Sequence, residues 1–233
     1  MIWVLLLPYS SRKKTLLQPV QAEIDSIDYY IARFLLGYLH SAVEDGKRTF
    51  QAYRWTDGQD RIPRDTGVWR SYNYVHIANT YLNLYHTSKG FIHYSFAYRP
   101  VEYLTFCYKT LIAMYTKIQM PTPIGDAAKE TGPMGESIYP DILSALDAKG
   151  MMVRKLELVE HFQNKYDVLK SQPYPFASEQ TIDTAGFKAT YTLGKIFNDT
   201  ELARKTQYAP MACRGMQPAW YHFGSDNWLM GES

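Results

Sequence analysis

Three carboxylates lie where loops rich in Pro, Gly and aromatic residues lead into helical segments. Glu136 lies in GPMGES, and Glu179 and Asp183 lie in PYPFASEQTIDTAGF. Hydrolysis of a glycosidic bond needs one carboxylic acid to protonate the leaving oxygen and one carboxylate to activate water or attack the sugar. We therefore predict Glu136, Glu179 and Asp183 as the catalytic residues of a glycan-cleaving site.

Each of these acids also has a simpler structural explanation. Glu136 lies at a predicted helix N-terminus, where backbone N–H groups favour a carboxylate, so capping alone would account for it. Glu179 and Asp183 are four residues apart, so they would lie one above the other on a helix and repel. The alternative to an acid/base pair is a first-turn acid plus an aspartate bonded to a neighbouring hydroxyl.

Aromatic residues are unusually frequent, with 20 Tyr, 10 Phe and 5 Trp making up 15% of the chain. An aromatic ring offers a flat apolar face, and Tyr adds a hydroxyl that can stay hydrated, so such rings suit stacking against sugars as well as filling helix interfaces. The predicted substrate-binding residues come from three segments that mix aromatic, amide and basic side chains. They are Trp55, Trp69, Arg70, Tyr72, Asn73, His76, Arg214, Trp220 and Tyr221. A histidine such as His76 is also commonly found as a satisfied core residue.

Other classes of function find no support. The net charge is +2 and the basic residues are scattered, which argues against a nucleic-acid partner. The spacing of Cys107 and Cys213 fits neither a metal site nor a disulfide framework, and phosphate-loop, HExxH, CxxC and GxSxG motifs are absent. The apolar run at residues 2–7 is too short to cross a membrane. We therefore expect no cofactor, no metal and no membrane partner.

Helical periodicity accounts for most of the chain, and strand signals are confined to loops, so we predict an all-α architecture. The predicted helices cover residues 20–45, 72–88, 102–118, 137–150, 151–170, 178–197 and 200–208. A turn-rich excursion at residues 49–70 separates the first two. Gly150 is predicted to terminate the fourth helix as a C-cap.

The helices alternate in composition along the chain. One kind follows a Pro/Gly-rich loop and is rich in small, aromatic and uncharged polar residues, and the other is strongly amphipathic. Inner and outer helices of a ring would produce this alternation. We predict a poorly defined segment at residues 1–18 and, at residues 19–233, an incomplete (α/α) toroid of antiparallel helix pairs truncated at its C-terminus. The tetrapeptide MGES occurs at residues 134–137 and again at 230–233. The match is either coincidental or marks the same position in successive helix pairs.

The segments RSYNYVHIANTYLNLY, GPMGESIYPDILSAL, PYPFASEQTIDTAGFKATYTLGKIF and ACRGMQPAWYHFGSDN give the chain a resemblance to a family. Together they are similar to a microbial family of extracellular proteins related in architecture to the (α/α) toroid glycoside hydrolases. The resemblance implies an extracellular or periplasmic location, a ring of six helix pairs, and processing of a poly- or oligosaccharide within a larger parent chain.

Two alternatives to hydrolysis remain open. A polysaccharide lyase would use a Tyr or His base and an Arg against a uronate charge, which would give Tyr72, His76 and Arg70 the main roles. A non-catalytic helical scaffold would bind a glycan without convergent carboxylates.

Overall fold

The protein is described by a computed structural model over residues 19–40, 43–52, 71–118, 121–122, 125–126, 128–176 and 184–214. This part of the chain is predominantly helical, as the sequence predicts. Its α-helices are α1 (Gln21–Tyr30), α2 (Ser71–Gly90), α3 (Pro100–Lys117), α4 (Tyr139–Ala148), α5 (Met152–Ser171), α6 (Thr184–Ile196) and α7 (Thr200–Arg214). Two hairpins of two-residue strands accompany them, β1 (Val43–Glu44) with β2 (Lys47–Arg48), and β3 (Pro121–Thr122) with β4 (Gly125–Asp126).

The first predicted helix differs most from expectation. It was predicted as one α-helix over residues 20–45, but α1 passes directly into a π-helix at Ile31–Leu39, and the helix ends there. Gly46, predicted as the helix stop, instead lies in the β1–β2 turn, where Asp45 has φ 49° and Gly46 has φ 72°. Two consecutive positive φ angles match the turn that best fits the twist of a short hairpin, and Asp-Gly is a favoured pair for it.

α4 and α5 form an antiparallel helix pair. Asp147 and Lys155 form an ion pair at 3.1 Å near the connecting turn, and the rings of Tyr139 and Phe162 stack at 4.0 Å near the other end. The turn closes as predicted at Gly150, which has φ 66° and whose N–H donates to the Asp147 carbonyl. A glycine with positive φ terminates a helix without the steric cost of a side chain.

α6 and α7 pack on each other in the same way, as consecutive helices joined by a short turn. Gly194 of α6 lies so close to α7 that an added Cβ would be 3.2 Å from the Ala203 amide nitrogen. α7 runs to Arg214, through Pro210, and is therefore longer than the predicted 200–208. The predicted helices at 72–88, 102–118, 137–150 and 151–170 agree with α2, α3, α4 and α5 to within a few residues. The predicted helix at 178–197 overlaps α6, and its residues 178–183 lie outside the described residues.

The chain divides into two compact units. The first unit comprises residues 1–69 and 77–113, and the second comprises 70–76 and 114–233. In the first unit the core includes Ile24, Ile31 and Leu39 from the first helical stretch and Tyr81 and Leu111 from α2 and α3. In the second unit the core is centred on α4, α5 and α6, with Leu146, Leu158, Phe162, Ala189 and Leu193 fully buried.

Candidate functional site

The turn that leads into Glu136 has an unusual backbone. Met134 has φ 63° and Gly135 has φ 149°, and Glu136 then begins a 3₁₀ helix, Glu136–Ile138, that runs into α4. A non-glycine residue with positive φ is uncommon, and the conformation of Gly135 is one that side chains disfavour. Gly135 also lies against α2, because an added Cβ would be 3.2 Å from the Cβ and Cγ2 atoms of Val75.

Glu136 is held by two bonds in the interior of the second unit. Its Oε2 accepts a hydrogen bond from the Gly135 N–H at 3.0 Å, and its Oε1 forms an ion pair with Lys165 Nζ at 3.3 Å. Neither side chain of the pair has any exposed surface. Removing two charges from water is costly, and the cost is recovered only where the charges are paired and bonded, so this pair strongly constrains where the turn can lie.

Two tyrosines complete the polar cluster around Glu136. The hydroxyls of Tyr115 and Tyr139 are 2.8 Å apart, and both side chains are buried. Burial raises the pKa of both hydroxyls, and the nearby Glu136 charge raises them further. Both phenols are therefore protonated at neutral pH. Stacking of Tyr115 on His161 at 5.0 Å ties the cluster to α5 on a second side.

Three helices meet at this turn. The start of α2 contacts it through Val75, α4 begins three residues after Glu136, and the 3₁₀ helix packs against α6. The first residue of α6, Thr184, directly follows Asp183 in the chain. The charge of Lys188 on α6 acts on His76 of α2, which agrees with this placement. The structure thus brings together elements that are more than 100 residues apart in sequence.

The described residues settle the position of some predicted site residues. Tyr72 is only 7% exposed and belongs to the packing of α2, whereas Asn73 and His76 are half-buried. Burial, with a smaller effect of the Lys188 charge, lowers the pKa of His76, so its imidazole is neutral at pH 7. Arg214 is the last residue of α7. The other predicted residues lie outside the described residues: Glu179, Asp183, Trp55, Trp69, Arg70, Trp220 and Tyr221.

Lys165 is the residue of this cluster that sequence reasoning missed. The buried face of α5 consists of Leu158, Phe162, Lys165, Tyr166 and Leu169, so the lysine occupies a position of the apolar stripe. A charged residue at a core position is rare unless it is paired. The position of Lys165 in the apolar stripe was therefore the available signal. An acidic partner for it could have been sought where a loop leads into a helix, and Glu136 lies at such a junction.

The described part of the chain contains neither a metal-ligand cluster nor a membrane-spanning helix. No group of three or more His, Cys, Asp or Glu side chains there could hold a metal ion. No helix within it has the length and apolar character required to span a bilayer. Cys107 is buried in α3, as predicted for a small side chain in an apolar run.

Comparison with known proteins gives a family but no relative of known activity. No curated protein and no solved structure matches the chain. One family of unknown function, DUF5695, matches residues 9–227, which is nearly the whole sequence. The chain therefore belongs to the DUF5695 family.

Proposed function

We propose that this chain is a carbohydrate-active domain that hydrolyses glycosidic bonds of a poly- or oligosaccharide, with Glu179 and Asp183 as acid and base. The observation that carries the proposal is the meeting of α2, α4 and α6 at the Glu136 turn. Hydrolysis needs two carboxyl groups placed beside one glycosidic bond. In the sequence, Glu179 and Asp183 lie in the segment that immediately precedes α6.

In this proposal Glu136 is a positioning residue. Its carboxylate is fully buried and bonded by Lys165 and the Gly135 amide, so it does not face a substrate. Its bonds hold the turn against α5 and thereby fix the helix starts around it. Catalysis depends on such positioning, because a displacement of about 1 Å at a reacting group can reduce turnover about 100-fold.

The polar character of α2 also favours a sugar ligand. In the second unit its half-buried positions include Asn73 and His76, and in the first unit they include Asn79, Asn83 and His86. Amide and neutral imidazole side chains both donate and accept hydrogen bonds, which suits hydroxyl groups. Most positions of α2 are buried, and the half-buried ones carry uncharged polar groups. The inner helices of an (α/α) toroid would have this character.

The finer architecture in this proposal is an incomplete toroid of helix pairs. The consecutive pairs α4–α5 and α6–α7 support it, because a toroid is built by repetition of such pairs. The extracellular or periplasmic location implied by the resemblance is part of the same proposal.

A lyase is the second candidate, and one observation favours it. The lowered pKa of His76 keeps its imidazole neutral, and a neutral imidazole can accept the proton that β-elimination removes. Cleavage products distinguish the two mechanisms, because only a lyase leaves an unsaturated sugar that absorbs ultraviolet light.

The test is an assay of reducing-end release from a panel of soluble polysaccharides. We expect Glu179→Gln and Asp183→Asn each to lower turnover about 100- to 10,000-fold with little change in substrate binding. Glu201→Gln is the matched control, because Glu201 is an exposed acid in the first turn of α7.

Three outcomes contradict the proposal. Full activity in both variants shows that these acids are not the catalytic pair. Ultraviolet-absorbing products that require His76 identify a lyase instead. Glycan binding without any cleavage by the unaltered chain identifies a scaffold.

A further inference from the structure

The first unit contains a cavity of about 440 Å³. Its size lies within the range typical of small-molecule sites, which is roughly 300–1,000 Å³. Three elements line it: the π-helix, the segment that follows the β1–β2 turn, and α3 with the residues before it. The lining side chains that matter for recognition are Arg48, Phe50, Tyr98, Phe106 and Lys109.

The cavity combines an apolar interior with two cations. Phe50 and Leu36 are buried, whereas Arg48 and Lys109 are exposed, so the charges lie toward solvent and the rings toward the interior. The ring of Phe106 is 5.7 Å from that of Phe50 and 5.3 Å from that of Tyr98. Among the described residues, eight line the cavity, and none of these eight is acidic.

The backbone around the cavity departs from regular geometry in two places, the π-helix and Phe50. The π-helix Ile31–Leu39 contributes Ala32, Leu36 and Gly37, and π-helical turns occur frequently at functional sites. Phe50 has φ 61°, a costly conformation for a bulky residue. At Gly37 an added Cβ would be 2.8 Å from the Ala32 carbonyl oxygen, so the π-helix requires a glycine there.

The neighbouring contacts hold this geometry in place. The Arg48 guanidinium donates a hydrogen bond to the Leu36 carbonyl, which joins β2 to the π-helix. A guanidinium carries five N–H donors, so this bond leaves it able to bind an anion. The Lys109 ammonium is 5.2 Å from the centroid of the Phe50 ring. Behind Phe50, the His40 ring packs at 5.2 Å, and its Nδ1 pairs with the Gln51 carbonyl at 3.2 Å.

Burial raises the pKa of the Tyr98 hydroxyl and the charges of Asp28 and Glu102 raise it further, but neither acid lines the cavity. Asp28 accepts hydrogen bonds from the Tyr103 hydroxyl and from the Ala97 N–H at 2.7 Å. Glu102 is paired with Arg99 at 3.0 Å. Both acids are therefore engaged by donors of their own, and among the described residues that line the cavity the charged ones, Arg48 and Lys109, are positive.

We propose that this cavity binds a ligand that carries a carboxylate on a six-membered ring. The carboxylate lies between Arg48 and Lys109, and an apolar face of the ring lies against Tyr98 and Phe106. Guanidinium and ammonium donors recognise a carboxylate through charge-assisted hydrogen bonds, and aromatic rings stack on flat apolar faces. Such chemistry has two sources, a uronate unit of a glycan or an aromatic carboxylate. The site does not depend on the hydrolysis proposed above.

The test is isothermal titration calorimetry of the full chain with trigalacturonate, benzoate and the neutral maltotriose. We expect a carboxylate probe to bind, its affinity to fall as salt is added, and maltotriose to bind at least about tenfold more weakly. Tight binding of trigalacturonate identifies a uronate ligand, and tight binding of benzoate alone identifies an aromatic carboxylate.

Two variants connect this binding to the cavity. Lys109→Gln is expected to weaken carboxylate binding about tenfold. The matched control Lys47→Gln changes an exposed lysine of the same hairpin as Arg48 that does not line the cavity, and we expect its affinity to stay within about twofold. Circular dichroism establishes that both variants are folded. The proposal is overturned if maltotriose binds as tightly as the carboxylate probes, if no carboxylate probe binds, or if both variants bind alike.

Discussion

The polar groups of the Glu136 cluster and those of the cavity in the first unit are used in opposite ways. In the Glu136 cluster, the carboxylate and the Lys165 ammonium have no exposed surface and satisfy each other. In the cavity, Arg48 and Lys109 are exposed above a floor of aromatic rings. Both regions contain backbone in costly conformations, at Met134 and Phe50.

The difference shows how buried and exposed charges serve a protein. A buried ion pair fixes the positions of the segments that carry it, because either charge would destabilise the fold if its partner moved away. An exposed pair of like charges beside aromatic rings contributes little to stability and is better suited to bind an oppositely charged ligand. Variants of the Glu136 cluster and of the cavity wall test this difference through their free energies of unfolding.

The largest effect is expected from Lys165→Met. The substitution leaves the Glu136 carboxylate buried without its cation, and breaking one partner of a buried pair costs about 3–5 kcal/mol. Urea unfolding of the variant should therefore show a correspondingly lower free energy of unfolding. Adding Glu136→Gln to this variant removes the orphaned charge and should recover part of the loss.

The matched control is the more exposed ion pair that joins α4 to α5. Lys155 and Asp147 are 3.1 Å apart, with side chains 27% and 50% exposed. Lys155→Met should cost less than about 1 kcal/mol, because solvent screens such a pair. Equal costs for the two lysine variants would remove the distinction between the two kinds of ion pair.

The second effect concerns His40, which supports Phe50 at the back of the cavity. Burial, with a smaller effect of the Arg48 charge, lowers the pKa of His40 to about 4. In the unfolded chain the His40 imidazole therefore becomes protonated below about pH 6.5, whereas in the folded chain it stays neutral until about pH 4. Stability should fall across this window as the pH decreases, by about 3 kcal/mol in total.

Urea unfolding at several pH values measures this loss against two variants. His40→Phe keeps a ring against Phe50 but cannot titrate, so its free energy of unfolding should decrease less steeply between pH 6.5 and 4. His93→Gln alters an exposed histidine and should keep the pH dependence of the unaltered chain. Identical slopes for the unaltered chain and His40→Phe would show that His40 is not buried in its neutral form.

The helices of this protein were largely predictable from sequence, because their signals are local. The apolar stripes of α2 and α3 fixed those helices to within a few residues. Gly150 marked the end of the α4 turn for the same reason, since only glycine adopts positive φ there at low cost. The π-helix was missed because its i to i+5 pairing changes neither composition nor, over nine residues, the apolar pattern.

The sites were less predictable, because they depend on contacts between distant segments. Glu136 was predicted as a site residue because it lies where a loop leads into a helix. Its bond to Lys165 was not predicted, because a charged residue on an amphipathic helix is normally assigned to the solvated face. The cavity was missed entirely. Arg48 lies in a hairpin whose first strand was predicted as the end of a helix, and Lys109 lies within an apolar run of α3.

The smallest effect is expected at the Glu136 turn itself, from Gly135→Ala. The added Cβ would be 3.2 Å from Val75, and φ 149° is unfavourable for alanine, so we expect a loss of about 1–3 kcal/mol in urea unfolding. Gly90→Ala is the control, because Gly90 lacks a positive φ and an added Cβ there meets nothing within 4 Å. That variant should be as stable as the unaltered chain or gain about 0.4–1 kcal/mol.

A double-mutant cycle with Val75→Ala separates the two causes. If the Val75 contact contributes, the Gly135→Ala cost is smaller in the Val75→Ala background, and the difference is the coupling energy. The cost that remains in that background belongs to the backbone conformation of Gly135. An unchanged cost would mean that Val75 does not restrain the turn, and a negligible cost in both backgrounds would mean that the turn accepts another conformation. In the latter case the buried ion pair alone would fix Glu136, and the start of α2 would no longer be required to lie against it.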